Sequence, residues 1–153
     1  MRILALDLGS LTGWASFVDG QIESGTKEFR LERGESPGIR FIKFNNFLST
    51  MISLIRPSLI IYEMPHLRGG YASDLLIGMS TRVQEKCVVE KIEYKALHSA
   101  TLKRISCGSG RANKEDMMKK AKELYPTQDI QDDNQADALL LLNYGIELMA
   151  EKF

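Results

Sequence analysis

The stretch Arg2-Ile3-Leu4-Ala5-Leu6-Asp7-Leu8-Gly9-Ser10 decides the reading of this chain. Its apolar run has the length of a buried strand, and a carboxylate set within such a run is costly to bury unless a cation meets it. Asp7 is therefore a candidate ligand or catalyst. Two further acids repeat the pattern: Glu63 ends Leu59-Ile60-Ile61-Tyr62-Glu63, and Asp137 opens the apolar segment Ala138-Leu139-Leu140-Leu141-Leu142. Three carboxylates at the ends of core elements point to one metal site.

Outward from Asp7, residues 2–8 predict a first strand and residues 13–18 a second, with Asp19-Gly20 as a hairpin turn into a third near residues 21–29. A polar loop over 32–37 follows. Phe44, Phe47, Leu48, Met51, Ile52 and Ile55 then recur at helical spacing up to Pro57. Residues 59–63 predict a fourth, central strand, 65–71 a glycine-rich loop, 72–90 a helix and 92–97 a fifth strand. A short helix over 99–106, a glycine loop over 107–111 and a helix capped by Asn113 and running to about Tyr125 come next. The last helix starts near Asp133 or Asn134 and runs to the C-terminus. The expected fold class is α/β: a mixed five-stranded sheet with its first three strands antiparallel, flanked by helices, with strand 4 beside strand 1. Asp7 and Glu63 are then neighbours.

The 153 residues, 44% of them hydrophobic, suffice for one domain spanning 1–153 without disulfide or zinc support. Cys87 and Cys107 lie in no metal-like spacing and read as structural thiols. The N-terminal run does not read as a signal peptide, and no apolar stretch reaches the roughly 20 residues that cross a bilayer. A cytoplasmic protein with no membrane partner is expected. Twenty basic and twenty acidic side chains cancel, which argues against a simple nucleic-acid-binding module. Their distribution is uneven, however. Lys103, Arg104, Arg111, Lys114, Lys119, Lys120 and Lys122 cluster in one segment, and Asp129, Asp132, Asp133 and Asp137 in the next. A basic surface beside an acidic pocket suits a polyanionic substrate approached through bound cations, and a solvated charged helix beside an acidic loop is the plainer alternative.

On the last helix, Asp133 and Asp137 are four residues apart and Asn134 and Asp137 three, so either pair shares a face. With Asp7 and Glu63 this gives three or four oxygen donors and no Cys or His cluster, a set for magnesium or manganese and not for zinc. Two such ions about 3.5–4 Å apart serve in-line phosphodiester displacement by water, so the expected reaction is metal-dependent phosphoryl hydrolysis.

Asp7-Leu8-Gly9-Ser10-Leu11-Thr12-Gly13-Trp14-Ala15, Tyr62-Glu63, Leu102-Lys103-Arg104-Ile105-Ser106-Cys107-Gly108-Ser109-Gly110-Arg111-Ala112-Asn113-Lys114 and Asp133-Asn134-Gln135-Ala136-Asp137-Ala138-Leu139 resemble, in order, the successive motifs of RuvC-type Holliday junction resolvases. The resemblance spans nearly the whole chain and implies an RNase H-like fold. It also implies a homodimer that nicks opposed strands of a four-way DNA junction, in recombination and repair, with two magnesium ions per active site on four acidic groups. Manganese is the expected substitute. Asp7, Glu63 and Asp137 match three of those positions, whereas Asn134 stands where the cellular enzymes carry Asp or His. Either Asn134 ligates through its carbonyl oxygen or Asp133 supplies the carboxylate, and Asp133 is favoured because a charged oxygen binds a hard cation better.

Lys103 and Lys114 occupy places whose lysines contact the scissile region in the family, with Lys114 a candidate for stabilising charge on the reacting phosphate. Arg104 and Arg111 are candidates for gripping phosphates. Gly108 and Gly110 either admit DNA backbone or make a turn. His66 stands where cellular members carry a junction-stacking aromatic. Tyr71 is the candidate to take over stacking, and Arg68 lies in the same loop as a further candidate DNA contact. The resemblance reaches to compact phage-encoded members and leaves open whether a branch-migration motor is a partner. Leu75, Leu76, Met79, Val83 and Cys87 share one face of the helix that corresponds to the family's dimerisation helix, as interface or as core. Two rivals stand beside the nuclease: a catalytically silent branched-DNA-binding protein on the same fold, suggested by Asn134, and an actin-like ATPase-related domain, suggested by the opening Asp-Leu-Gly.

Overall fold

The computed structural model describes residues 1–66 and 69–152; Arg68 lies outside the described residues. The elements run β1 (Arg2–Asp7), β2 (Leu11–Val18), β3 (Gln21–Glu28), α1 (Gly38–Ile55), β4 (Leu59–Glu63), α2 (Tyr71–Glu90), β5 (Glu93–Leu97), α3 (Ser99–Cys107), α4 (Lys114–Leu124) and α5 (Asp133–Ala150). The five strands form one sheet in the order β3-β2-β1-β4-β5. β1 and β2, and β2 and β3, pair antiparallel, while β4 is parallel to β1 and to β5. The hairpin between β2 and β3 turns at Asp19 and Gly20, both with positive φ (51° and 94°), as a two-residue turn matched to strand twist requires. This is the expected mixed sheet.

β1 is the central strand, and Ile3, Leu4, Ala5 and Leu6 are fully buried. Because side chains alternate across a strand, its residues divide between two cores. Ile3 and Ala5 join Leu59 and Ile61 of β4 under α3, α4 and α5, whereas Leu4 and Leu6 join Ile60 and Tyr62 under α1 and α2. The pairing Ala5↔Ile61 and Leu6↔Tyr62, continued one step, sets Asp7 beside Glu63. By the same alternation both carboxylates belong to the α5 face.

α5 is apolar almost all round, since Ala136, Ala138, Leu139, Leu140, Leu141 and Leu142 are all buried between the sheet and α4. At Gly145 a Cβ would lie 3.3 Å from the Ile3 side chain and 3.4 Å from that of Ile61, so the missing side chain lets the helix settle onto β1 and β4. Asn113 caps α4 as expected, accepting from the Asp116 amide at 2.8 Å while Asp116 accepts from the Asn113 amide at 3.1 Å. Gly108, with φ of 81°, ends α3 in the left-handed conformation, which fits the turn reading of that glycine.

The apolar face of α2, open between interface and core in the sequence, belongs to the core. Met79, Val83 and Cys87 are buried in the cluster under α1 and α2, and Leu75 and Leu76 pack against it. The last helix stops at Ala150, and α1 begins six residues before Phe44, at Gly38; helix ends are set by caps and loops that apolar spacing does not report. Among the described residues no helix is long and apolar enough to cross a membrane.

Phe44 meets Phe29 edge-on, with ring centroids 5.5 Å apart, and is fully buried. Phe44→Ala is expected to destabilise the fold by about 3–5 kcal/mol, read as a lower urea midpoint at unchanged m-value.

Candidate metal centre

Asp7 and Glu63 are the last residues of β1 and β4, two adjacent parallel strands that finish at the same edge of the sheet. That edge is the usual place for a site in an open α/β sheet. Asp137, in the second turn of α5, reaches the same strand ends. One carboxylate oxygen of each residue lies within 4.8 Å of the others. Among the described residues this is the one group of three or more His, Cys, Asp or Glu side chains placed to share an ion.

The cluster is strained electrostatically. Burial, then Asp137, Glu63, Asp133 and Asp132 in turn, hold the Asp7 carboxyl well above the usual carboxylate range. Burial, with Glu63 and Asp133, pushes Asp137 up to about 7, opposed by Lys103 and Lys114. Burial also raises Glu63, against a hydrogen bond from Ser99 and the nearby charges of His66 and Lys103. Two unit charges about 4 Å apart repel by about 1 kcal/mol in water and by about 4 kcal/mol at the effective dielectric near a protein surface. A divalent cation turns that repulsion into attraction. Three clustered oxygen donors in a partly dehydrated place fit hard ions such as magnesium or manganese.

The remaining candidates sit around this cluster. Lys114, the first residue of α4, places Nζ 3.3 Å from Asp133 Oδ2, so basic helix and acidic turn do lie side by side. Asp133 is close enough to raise both Asp7 and Asp137 but is not one of the three convergent carboxylates. Asn134 is half-buried, and its main-chain carbonyl abuts Gly13. Lys103 of α3 is half-buried beside Glu63 and Asp137, whereas Arg104 and Arg111 are exposed. A groove of about 780 Å³ opens next to the cluster between α4 and the start of α5, lined by Lys114, Met118, Lys119, Lys122, Asp132 and Asp133 among others. His66 is exposed near Glu63. Tyr71 is 55% exposed, and its hydroxyl accepts from Arg40 Nη1 at 3.0 Å, with the guanidinium 6.0 Å from the ring centroid. Cys87 and Cys107 are free thiols; burial pushes Cys87 up to about 11, which leaves it inert at neutral pH.

Sequence reasoning missed Ser99, Arg40 and the cap of α5. Asp132 is that cap, its Oδ1 accepting from the Gln135 amide at 2.8 Å, and the Asp-x-x-Gln spacing was the signal for it. Neither Ser99 nor Arg40 lies near its partner in sequence, so no local pattern marks them.

No protein-family model matches the chain, and no curated protein matches it. Solved structures do. RuvC of Thermus thermophilus is 16% identical over 92% of this chain and 90% of that one, with a TM-score of 0.74. T. thermophilus RuvC in complex with a Holliday junction substrate gives 16% identity, the same coverage and a TM-score of 0.77. The yeast mitochondrial Holliday junction resolvase Ydc2 is 13% identical over 91% of this chain and 75% of that one, with a TM-score of 0.66. The mixed sheet and its covering helices are thus the RNase H-like fold of the RuvC-type Holliday junction resolvases, the family whose motifs the sequence resembles.

Proposed function

We propose that the chain is a metal-dependent, structure-selective DNA endonuclease that resolves four-way or related branched DNA by paired nicks. The observation that carries this reading is the convergence of Asp7, Glu63 and Asp137 at one sheet edge, on a fold shared with a resolvase captured on a Holliday junction substrate. Those three residues would hold the metal, with Asp133 as the fourth carboxylate in preference to Asn134. Magnesium or manganese bound there, as a pair, would supply an activated water and charge stabilisation at the leaving oxygen of a phosphodiester.

The chain's own groups do the rest. Lys114 stands beside the site on a side chain that is 86% exposed and offers a cation to the reacting phosphate. Lys103, on α3, lowers the charge cost of Glu63 and Asp137. Arg104 and Arg111 hold the DNA backbone without reading its sequence. His66, near Glu63, and Tyr71, presented by Arg40, meet bases at the branch. The domain comprises residues 1–153 and acts as a cytoplasmic homodimer, since two opposed nicks need two sites; Ile77 and Val88, exposed on the outer side of α2, are apolar residues such a dimer would cover. The second reading is a silent branched-DNA binder, favoured by Asn134 in place of an acid and by the engagement of Asp133 with Lys114.

Labelled four-way junction, flap and linear duplex, incubated with magnesium or manganese, separate the two. The nuclease reading expects nicking of branched DNA by the wild type and background levels for Asp7→Asn and Glu63→Gln. Junction binding without nicking in either metal supports the silent binder instead. Lys114→Ala is expected to lower kcat by about 10²–10³-fold. Asp133→Asn is expected to abolish cleavage and Asn134→Ala only to weaken it; the reverse order moves the fourth ligand to Asn134.

A raised carboxylate favours the folded state while it is protonated. Its contribution is complete below the ordinary Asp pKa of about 3.9 and is lost as pH rises through the folded value, which for Asp137 is about 7. In chelator, the Tm of the wild type should therefore fall between about pH 4 and pH 8 more than that of Asp137→Asn. Magnesium should restore the wild-type Tm at pH 8 and change it little at pH 5. Parallel pH curves for the two proteins in thermal melts would contradict this.

A further inference from the structure

The three convergent carboxylates are not held in place by the same kind of force. Asp7 and Glu63 each follow directly on the last registered pair of β1 and β4, Leu6↔Tyr62, so the ladder hydrogen bonds fix one strand end against the other. Asp137 arrives on α5, a helix seated by apolar contacts, and such contacts are non-directional. Something directional has to fix the first turns of α5.

A buried polar network meets that need. Gln135 is 4% exposed, and its amide group is fully used. Nε2 donates to Ser24 Oγ at 3.0 Å and to the Asp129 carbonyl at 3.1 Å, while Oε1 accepts from the Gln131 amide at 2.9 Å. The Ser24 hydroxyl in turn donates to Gln128 Oε1 at 2.6 Å, and Gln128 Nε2 donates to the Ile22 carbonyl at 3.0 Å. Ile22 and Ser24 belong to β3, the edge strand, whereas Gln128 lies in the connection between α4 and α5 and Gln135 in the first turn of α5. One hydroxyl thus joins both glutamines to the sheet.

At about 100° per residue, Gln135 lies some 200° around the helix from both Asp133 and Asp137, so the network grips the back of the turn whose front carries the carboxylates. β2 closes the other side. A Cβ on Gly13 would fall on the Asn134 carbonyl and lie 3.0 Å from the Gln135 amide nitrogen, so the first turn of α5 rests directly on the β2 backbone. The turn is held between a backbone stop at Gly13 and a hydrogen-bonded anchor at Ser24.

We propose that Ser24, Gln128 and Gln135 form a clamp that seats the first turn of α5 on the edge strand, making Gln135 a positioning residue that sets where Asp133 and Asp137 stand relative to Asp7. The functional part of this inference rests on the metal-site reading above; the clamp itself does not. Outer residues that orient metal ligands typically change metal affinity about 10–100-fold when removed, without touching the ion.

The test uses the full chain and its variants Ser24→Ala, Gln135→Leu, the double variant and Ser24→Thr. Amide hydrogen exchange of the metal-free proteins should rise at residues 133–137 in both single variants while α1 keeps its wild-type protection. In calorimetric titration with manganese alone, each single variant should bind about 10–100-fold more weakly than the wild type. The double variant should bind no more weakly than the worse single one, and Ser24→Thr, which keeps the hydroxyl, should bind like the wild type. Wild-type manganese affinity in both single variants, or exchange that rises evenly over the molecule, overturns the clamp. A wild type that binds no manganese overturns the metal reading, and the exchange data then decide the clamp alone. Ser24→Ala, at a half-buried edge-strand position, keeps the test decisive where Gln135→Leu fails to fold.

Discussion

The mutual repulsion of Asp7, Glu63 and Asp137 is the interaction on which the rest of this structure depends. Three carboxylates with oxygens within 4.8 Å, withdrawn from most of the water that would solvate them, oppose folding at neutral pH. A fold that keeps them together must be held by everything else. Here the holding force is the apolar surface of two cores, packed against opposite faces of one sheet. The central strand serves both at once, which is why four consecutive residues of β1 are fully buried and why the acid that ends the strand is delivered with so little freedom.

Charge is arranged to limit the same repulsion. Lys103 from α3 and Lys114 from α4 act on Asp137, and Lys103, with His66 and Ser99, acts on Glu63, while the acids themselves come from two strands and a helix. A chain of zero net charge can therefore carry a concentrated negative site and a basic rim a few residues away. The balance over the whole molecule says little about its partners. What matters is that positive side chains sit on α3 and α4, the elements that border the sheet edge where the strand carboxylates end.

The strands, the place of β4 beside β1 and the meeting of Asp7 with Glu63 were legible because they follow from period-two burial and short apolar runs, which are local and obligatory. Asn113 was legible as a cap because its partner Asp116 is three residues away. The role of the α2 face was not legible, since a core and a two-fold interface draw on the same residue types; packing under α1 assigns it to the core. Nor was the network around Gln135. Its partner Ser24 is 111 residues distant, and a glutamine in an otherwise apolar helix carries no mark of the hydroxyl it meets. The fourth acidic position was not legible from spacing for a related reason: residues 133 and 134 both flank the face of Asp137, and the helix period alone tolerates either.

The pair between Lys114 and Asp133 gains its meaning from being weak. Its lysine is 86% exposed and its aspartate 36%, and exposed ion pairs of this kind contribute about 0.2–1 kcal/mol. A contact so shallow is readily exchanged. In the nuclease reading, a cation arriving at Asp133 and a phosphate arriving at Lys114 each find a partner already in place, and each frees the other half of the pair for its own ligand. The two ligands would then favour one another's binding through the exchange of a single ion pair, with no rearrangement of the sheet or of α5.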